Sequence, residues 1–169
     1  MKIIEALKIT KDLLKKADDL KDKIHKHASD LDCETPVYPD QKEQLARWIQ
    51  AYGDILKECL QLNYRIAKTN LVTKVTIELD GKQVEKSIFE WILRRRKLSE
   101  MEMTMWRGVG DKGLREGAIN QSNGTTMNVK IRRYFDPKER DHKLSELSSE
   151  PSRIDAKLEI VNCVTDLVD

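Results

Sequence analysis

The sequence has few of the residues that interrupt helices and strands. Its 169 residues include seven glycines and four prolines, and five of the glycines fall between Arg107 and Thr125. Because glycine and proline are the strongest local breakers of regular structure, most of the chain is free to form long elements. No apolar run is long enough to cross a membrane, and no apolar signal segment follows Met1. We therefore expect a soluble, cytoplasmic protein without a membrane partner.

Residues suited to catalysis or metal binding are scarce as well. Cys33, Cys59 and Cys163 lie far apart and form no CxxC pair, which favours free thiols in a reducing compartment. His25 and His27 are two positions apart, so they lie on different faces of a helix, whereas a structural metal needs about four convergent ligands. No nucleophile, base and orienting acid occur in a pattern that predicts an active site. The sequence predicts no enzyme, no metal and no cofactor.

Charge is abundant, with 36% of residues charged against 39% hydrophobic, and this balance favours helices with wide solvated faces. The sequence pI of about 8.3 is too mild to favour a nucleic-acid partner, because such proteins usually carry a stronger basic stripe. No acidic residue lies between Glu116 and Asp136, but this stretch contains Lys130, Arg132 and Arg133. An acid-free basic stretch of this kind suits an anion.

Two long amphipathic helices are predicted at the start of the chain. The first runs from about Lys2 to about Leu31, where apolar residues recur at steps of three and four. Asp40 then offers an N-cap for a second helix, and Glu43 completes a capping box. The second helix carries a heptad seam formed by Leu45, Trp48, Tyr52, Ile55, Cys59, Leu62, Ile66 and Thr69. This seam predicts a long antiparallel helical hairpin whose helices pack at a shallow angle.

The second helix has a further apolar face, formed by Ile49, Leu56 and Leu60. One neighbouring helix cannot cover two faces of the same helix. Two explanations remain open at this point. Either the protein self-associates into a homo-oligomer, or a later helix of the same chain covers the second face.

The middle of the chain predicts a small antiparallel sheet. Apolar and polar residues alternate over residues 73–79, and Asp80-Gly81 is a strong signal for a two-residue hairpin turn. We expect a short return strand over residues 82–85. A long glycine-containing loop over residues 107–125 leads to a further strand over 127–135, which would complete a sheet of three strands.

Capping signals and apolar spacing predict a helix from Ser87 to about Trp106 and a C-terminal helix after Asp136. Pro151 is expected to break the C-terminal helix near Ser149. The fold class is therefore mainly α, with a long antiparallel helical hairpin, further helices and a small antiparallel β-sheet of two to three strands. We expect a single domain made of the hairpin (1–70), a middle region (71–135) and the C-terminal helix (136–169).

The string from Gly108 to Gly113 matches the glycine pattern of dinucleotide-binding loops. That pattern binds a pyrophosphate only where it follows a strand and opens a helix within a βαβ unit. Here the string follows a predicted helix and leads into a loop. No dinucleotide-binding fold is expected.

The basic middle region is the best candidate for a binding site. Arginine forks fit phosphate oxygens, aromatic rings stack on a base, and loop backbone groups add polar contacts. These residue types predict a site for a phosphorylated, nucleotide-like small molecule. The candidate ligand-binding residues are Trp106, Arg107, Arg115, Asn120, Asn123, Arg132, Arg133 and Tyr134. The sequence offers no local acid to pair with Arg132 and Arg133.

A second group of arginines has a different interpretation. Arg94, Arg95 and Arg96 are consecutive in a predicted helix. Consecutive helical positions cannot all face one site. The sequence therefore favours ion pairs with nearby acids for these three residues.

Three groups of short motifs resemble those of a known family in type and order. They are Leu62 to Asn70 with Thr73 and Asp80-Gly81; Ser87 to Glu90 with Arg94 and Leu98; and Arg132 to Tyr134 with Ile154 to Leu158 and Asn162. Over about residues 1–165 the chain resembles small helical bacterial and prophage proteins named septicolysin-like. In that family tryptophan commonly follows the last asparagine, where Cys163 stands here. The family name implies a toxin, but no secretion signal or membrane-inserting segment supports that activity here.

The same plan is similar in architecture to phage anti-defence sponges, which are non-enzymatic oligomers that sequester cyclic or ADP-ribose-type immune signals. This resemblance implies a homo-oligomeric binding protein that sequesters a phosphorylated nucleotide-derived small molecule. It is a likeness of architecture alone, and fold does not fix function. The alternative is a coiled-coil module that recruits a partner protein and has no small-molecule ligand.

Overall fold

Helices form most of the structure. It is a computed structural model that describes residues 1–120, 122 and 124–168. The elements in chain order are α1 (Ile3–His27), α2 (Gln41–Val72), β1 (Lys74–Leu79), β2 (Lys82–Ser87), α3 (Ile88–Leu93), α4 (Ser99–Gly108), β3 (Gly117–Asn120), β4 (Thr126–Val129) and α5 (Pro137–Val164). A π-helical segment, Arg94–Leu98, joins α3 to α4. The predicted fold class, mainly helical with small antiparallel sheets, is confirmed.

Helices α1 and α2 pack against each other as the predicted helical hairpin. Cys59, Leu62, Ile66 and Thr69 of the α2 seam are buried, and the four seam residues before them are half-buried. Helix α1 is buried at the same three- and four-residue steps, at Ile3, Ala6, Thr10, Leu13 and Ala17. The heptad spacing thus identified the packed face of α2 correctly.

Local contacts fix the connection between the two helices. Helix α1 ends at His27, earlier than predicted. The His27 ring packs with Tyr38 and Trp48 at centroid distances of 5.5 and 5.7 Å. Asp40 Oδ1 accepts a hydrogen bond from the Glu43 N–H at 2.9 Å. The predicted N-cap of α2 is therefore confirmed.

Strands β1 and β2 form the predicted hairpin. Val75 and Ile77 are buried and alternate with exposed polar residues along β1, as the period of two requires. The turn residues Asp80 and Gly81 have φ angles of 52° and 70°, the left-handed pair that a type I′ turn needs. Strand β2 ends at Ser87, two residues later than predicted.

The strand predicted over residues 127–135 does not join this hairpin. Strand β4 pairs instead with β3, antiparallel, with Ile119 opposite Met127, and the two form a separate sheet of two strands. Part of the predicted loop is therefore a strand. Gly117 and Gly124, with φ of 135° and 81°, supply backbone conformations at the start of β3 and before β4 that other residues rarely adopt.

The expected break in the C-terminal helix is also wrong, because α5 continues through Pro151. A proline inside a helix removes one backbone hydrogen bond and costs about 3 kcal/mol. The hydroxyls of Ser148 and Ser149 donate to the carbonyls of Ser145 and Glu146, so they do not replace the missing donor to the Leu147 carbonyl. Leu147 and Ile154, on either side of the proline, are 4% and 0% exposed. Burial of both side chains offsets the loss.

The described residues form two compact units. The first comprises residues 1–74, 87–89 and 158–168, and the second comprises residues 75–86, 90–120, 122 and 124–157. The α1–α2 seam supplies most of the core of the first unit. The buried apolar residues of the second unit are Val75, Ile77, Trp91, Met103, Leu147 and Ile154. None of the described helices is long and apolar enough to cross a membrane.

Candidate functional site

A pocket of about 580 Å³ lies in the second unit, within the size range of small-molecule sites. One wall is the end of α4 with the turn that follows it, from Met105 to Leu114. The other wall is the segment from Ile131 to Phe135, which precedes α5. Most of the lining is apolar, and Lys112, Arg132 and Arg133 add positive charge.

The first wall includes a tight turn within the Gly108–Gly113 string, which the sequence analysis rejected as a dinucleotide-binding loop. The Leu114 N–H donates to the Asp111 carbonyl at 2.9 Å, and the two residues between them, Lys112 and Gly113, have φ of 53° and 76°. A non-glycine residue with positive φ is uncommon, and this one lines the pocket. The Gly108–Gly113 string thus contributes to a candidate site, although it follows α4 and is not a dinucleotide-binding loop.

Arg133 is held by a carboxylate on the opposite wall. Its Nε donates to Asp111 Oδ1 at 2.8 Å and its Nη2 donates to Asp111 Oδ2 at 2.7 Å, which is the bidentate geometry of a strong pair. Glu116 lies 3.6 Å from Arg133 Nη1. The pair lowers the pKa of Asp111 and raises the pKa of Arg133. The sequence offered no local acid to Arg133, and its partner in the structure is 22 positions away in the sequence.

Two cations of the pocket lining have no such partner. The side chains of Arg132 and Lys112 are exposed and form no hydrogen bond or ion pair with any residue that the structure describes. Because Asp111 balances one of the three lining cations, the described lining has a net charge of two positive units. Both unpaired groups are free to meet an anion.

Aromatic groups line the same pocket. Trp106 is half-buried, and its Nε1 is fully buried without a hydrogen-bond partner among the described residues. A buried donor without an acceptor is rare in native proteins and calls for an explanation. Tyr134 is 88% exposed, which leaves its ring available for stacking.

Four of the eight predicted site residues thus meet in one pocket: Trp106, Arg132, Arg133 and Tyr134. Of the others, Arg107 Nη1 donates to Glu100 at 3.3 Å, Arg115 is exposed and outside the pocket lining, and Asn120 accepts the Thr126 hydroxyl across the β3–β4 pair. Asn123 lies outside the described residues.

Sequence reasoning missed Asp111 and Lys112 as pocket residues. Their signal was present as Asp-Lys-Gly, because aspartate followed by X-Gly is typical of a tight turn. The sequence analysis compared the glycine string with the dinucleotide-binding motif alone and did not consider a tight turn. A tight turn also presents side chains, and here it presents the lysine to the pocket.

A second cavity, of about 450 Å³, lies beside the β1–β2 turn. Most of its charges are paired: Asp80 with His142 and Lys143 at 2.9 and 2.8 Å, and Glu146 with Arg153 at 2.9 Å. The Glu78 carboxylate accepts a hydrogen bond from the Gln83 amide at 3.0 Å. Hydrogen bonds from Lys143 and His142 lower the pKa of Asp80 to about 2. This cavity offers less unpaired charge to a ligand than the pocket beside α4 does.

Two of the three consecutive arginines form the ion pairs that the sequence favoured, whereas Arg96 forms none with a residue that the structure describes. Arg94 pairs with Glu150 and Glu102, and Arg95 Nη2 donates to Asp155 at 2.8 Å. Neither residue lines the pocket beside α4.

A family model described as a family of unknown function, DUF6847, matches residues 10–167. The chain belongs to this family. No curated protein matches the sequence. A crystal structure of a functionally unknown conserved protein from Corynebacterium diphtheriae is similar, with a TM-score of 0.60, 17% identity and coverage of 99% of each chain. At this identity the likeness shows that the two proteins share a fold over their whole length.

Proposed function

We propose that this DUF6847 protein is a non-enzymatic, homo-oligomeric binding protein that sequesters a phosphorylated nucleotide-derived small molecule, in the manner of an anti-defence sponge. The observation that carries the proposal is the pocket beside α4. It combines a ligand-sized volume, three aromatic side chains and two cations without described partners.

The two chemical halves of such a ligand match different parts of the lining. A base stacks favourably on an aromatic ring, with about 1–3 kcal/mol per base, and Trp106 and Tyr134 offer such rings. The phosphate group matches the guanidinium of Arg132 and the ammonium of Lys112.

Binding is favoured over catalysis by the state of the acid in the pocket. Both oxygens of Asp111 accept hydrogen bonds from Arg133, and the same contact lowers the Asp111 pKa. A carboxylate held in this way is a weak base near neutral pH. Sequestration requires no general base and no metal.

We expect the Arg132→Ala variant to bind AMP about tenfold or more weakly than the wild type, because a hydrogen bond to a charged group contributes about 1.5–3 kcal/mol. The matched control is Arg115→Ala, which removes an exposed arginine outside the pocket lining and should change affinity less than about twofold. Isothermal titration calorimetry with AMP measures both. Weakening by the Arg115 variant but not by the Arg132 variant would place the phosphate site elsewhere, and no AMP binding by the wild type would contradict the proposal.

The homo-oligomeric part of the proposal is supported by α2. Ile49, Leu56 and Leu60 are 54%, 45% and 71% exposed, so no described element of the chain covers this second face. From Ala46 to Leu71, the positions at steps of three and four are Ala, Ile, Gly, Leu, Leu, Tyr, Ala and Leu. This uncharged stripe is roughly 40 Å long at 1.5 Å per residue. A second copy of the same helix is a partner of matching length and character.

We expect the Leu60→Glu variant to dissociate the oligomer, because each copy would bring a carboxylate into the apolar contact. Leu31→Glu is the matched control, since Leu31 is 64% exposed and lies outside the stripe. Native mass spectrometry over a range of protein concentrations compares the two variants with the wild type. A wild-type protein that stays monomeric at every concentration would count against the homo-oligomer.

The α2 stripe also favours the alternative function, a coiled-coil module that recruits another protein. Native mass spectrometry of the protein purified gently from its own host separates the two. A homo-oligomer with a few hundred daltons of added mass per site supports sequestration. A stoichiometric complex with a different protein, with no added small molecule, supports the module.

A further inference from the structure

We infer that Asp111 determines which ligand charge the pocket prefers. By binding Arg133 it leaves the pocket two available cations, so that nucleoside monophosphates are preferred over di- and triphosphates. This inference rests on the proposed function of the same pocket. It adds a substrate class and a residue that sets it.

The geometry of the pair removes Arg133 from ligand binding. Two guanidinium nitrogens donate to the two oxygens of Asp111 at 2.8 and 2.7 Å, and the third, Nη1, lies 3.6 Å from Glu116 Oε1. All three nitrogens therefore have a carboxylate beside them. A phosphate group would have to displace one of these carboxylates to bind Arg133.

The position of the two acids is itself fixed by backbone contacts. The Asp111 carbonyl accepts from the Leu114 N–H in the turn that follows α4. Glu116 Oε1 accepts from the Ile131 N–H at 3.1 Å, on the segment that carries Arg133. The backbone of Asp111 and the carboxylate of Glu116 are therefore held in place independently of any ligand.

The remaining charge of the lining matches a single phosphate group. A phosphate monoester carries about −1.5 to −2 at pH 7, which Lys112 and Arg132 together balance. Each further phosphoryl group adds negative charge without a free cation in the described lining to meet it. The Asp111 carboxylate, which is part of that lining, occupies the third cation, Arg133, so that it cannot meet the additional charge.

The charge balance persists around neutral pH. Arg133 lowers the pKa of Asp111, so the carboxylate is ionised well below neutral pH, and arginine remains protonated. The charge of the Asp111–Arg133 pair is therefore constant in that range. A change in preference requires a change of residue.

The test compares AMP and ATP by isothermal titration calorimetry for the wild type and the Asp111→Asn variant. The wild type should bind AMP about tenfold or more tightly than ATP. In Asp111→Asn the guanidinium of Arg133 is freed, and ATP affinity should rise about tenfold, while AMP affinity changes less than about threefold. Glu116→Gln is the matched control, because it removes one negative charge near Arg133 but leaves the bidentate pair and the acceptor for Ile131.

A second variant changes the other residue of the Asp111–Arg133 pair and keeps the inference testable if Asp111→Asn does not fold. Arg133→Gln leaves Asp111 ionised and without its partner, so binding of both AMP and ATP should weaken. Thermal unfolding of each variant shows whether it is folded.

The outcomes separate this inference from the proposed function. If the wild type binds AMP but prefers ATP, or if Asp111→Asn leaves the AMP-to-ATP ratio unchanged, the inference is wrong and the proposed binding site stands. If the wild type binds neither nucleotide, the proposed function fails and the inference fails with it.

Discussion

Replacing Trp91 with alanine is expected to lower the free energy of unfolding by about 3–5 kcal/mol. Trp91 has no exposed surface and is the largest fully buried side chain of the described residues. Its indole N–H donates to the carbonyl of Val75 at 2.9 Å, which ties α3 to the first strand. The alanine variant would leave a cavity and remove the hydrogen bond to the Val75 carbonyl. Chemical denaturation monitored by far-ultraviolet circular dichroism measures the change.

Two further variants divide this effect into its parts. Trp91→Phe keeps most of the buried apolar volume and removes the hydrogen bond, so a loss of about 1–3 kcal/mol is expected. Phe89→Ala truncates another aromatic residue of the same helix, but Phe89 is 50% exposed and its loss should be well under that of Trp91. Similar losses for Trp91→Ala and Phe89→Ala would contradict the buried position of Trp91.

The helical hairpin could be predicted because its signals are local and repeated. The α2 seam keeps heptad spacing from Leu45 to Thr69, and a single side chain, Asp40, caps its start. The β1–β2 turn was equally readable, since Asp80-Gly81 supplies the two left-handed residues of a type I′ turn. Each of these features depends on residues within a few positions of each other.

The incorrect predictions concern features that depend on distant residues. Partner choice between short strands is not encoded in their own pattern, so β4 could not be assigned to β3 from its sequence. Pro151 is tolerated in α5 because of burial on both sides, which the sequence near the proline does not reveal. Tertiary packing outweighs local propensity in both cases.

The candidate site shows the same division. Residue type alone placed Trp106, Arg132, Arg133 and Tyr134 in one site, and the structure brings these four together. The partner of Arg133 is 22 positions away in the sequence, beyond the reach of any local pattern. Composition thus predicted which chemistry the pocket would contain, whereas the charge left free for a ligand depends on the tertiary pairing of Asp111.

Arg94→Met is expected to lower the free energy of unfolding by about 3–5 kcal/mol, because it would leave a buried carboxylate without its cation. Glu150 is 4% exposed. Arg94 Nη2 donates to Glu150 Oε2 at 2.9 Å, and Ser99 Oγ donates to Oε1 at 3.0 Å. The Arg94 guanidinium also lies 2.7 Å from Glu102, and the Glu150 carboxylate raises the pKa of Arg94 above its usual value. Arg94 opens the π-helical segment, so this network holds an irregular turn in place.

Arg95→Met is a closely matched control for this prediction. It makes the same substitution one position later, in the same π-helical segment, and breaks an ion pair with Asp155 whose side chains are 43% and 51% exposed. Exposed pairs contribute about 0–1 kcal/mol. Arg94→Met should therefore lower the free energy of unfolding, measured by denaturant unfolding, several times more than Arg95→Met does. The double variant Arg94→Met with Glu150→Leu removes both buried charges and should recover most of the loss. If the double variant were as unstable as Arg94→Met alone, the loss would come from the packing of the arginine stem and not from the unpaired carboxylate.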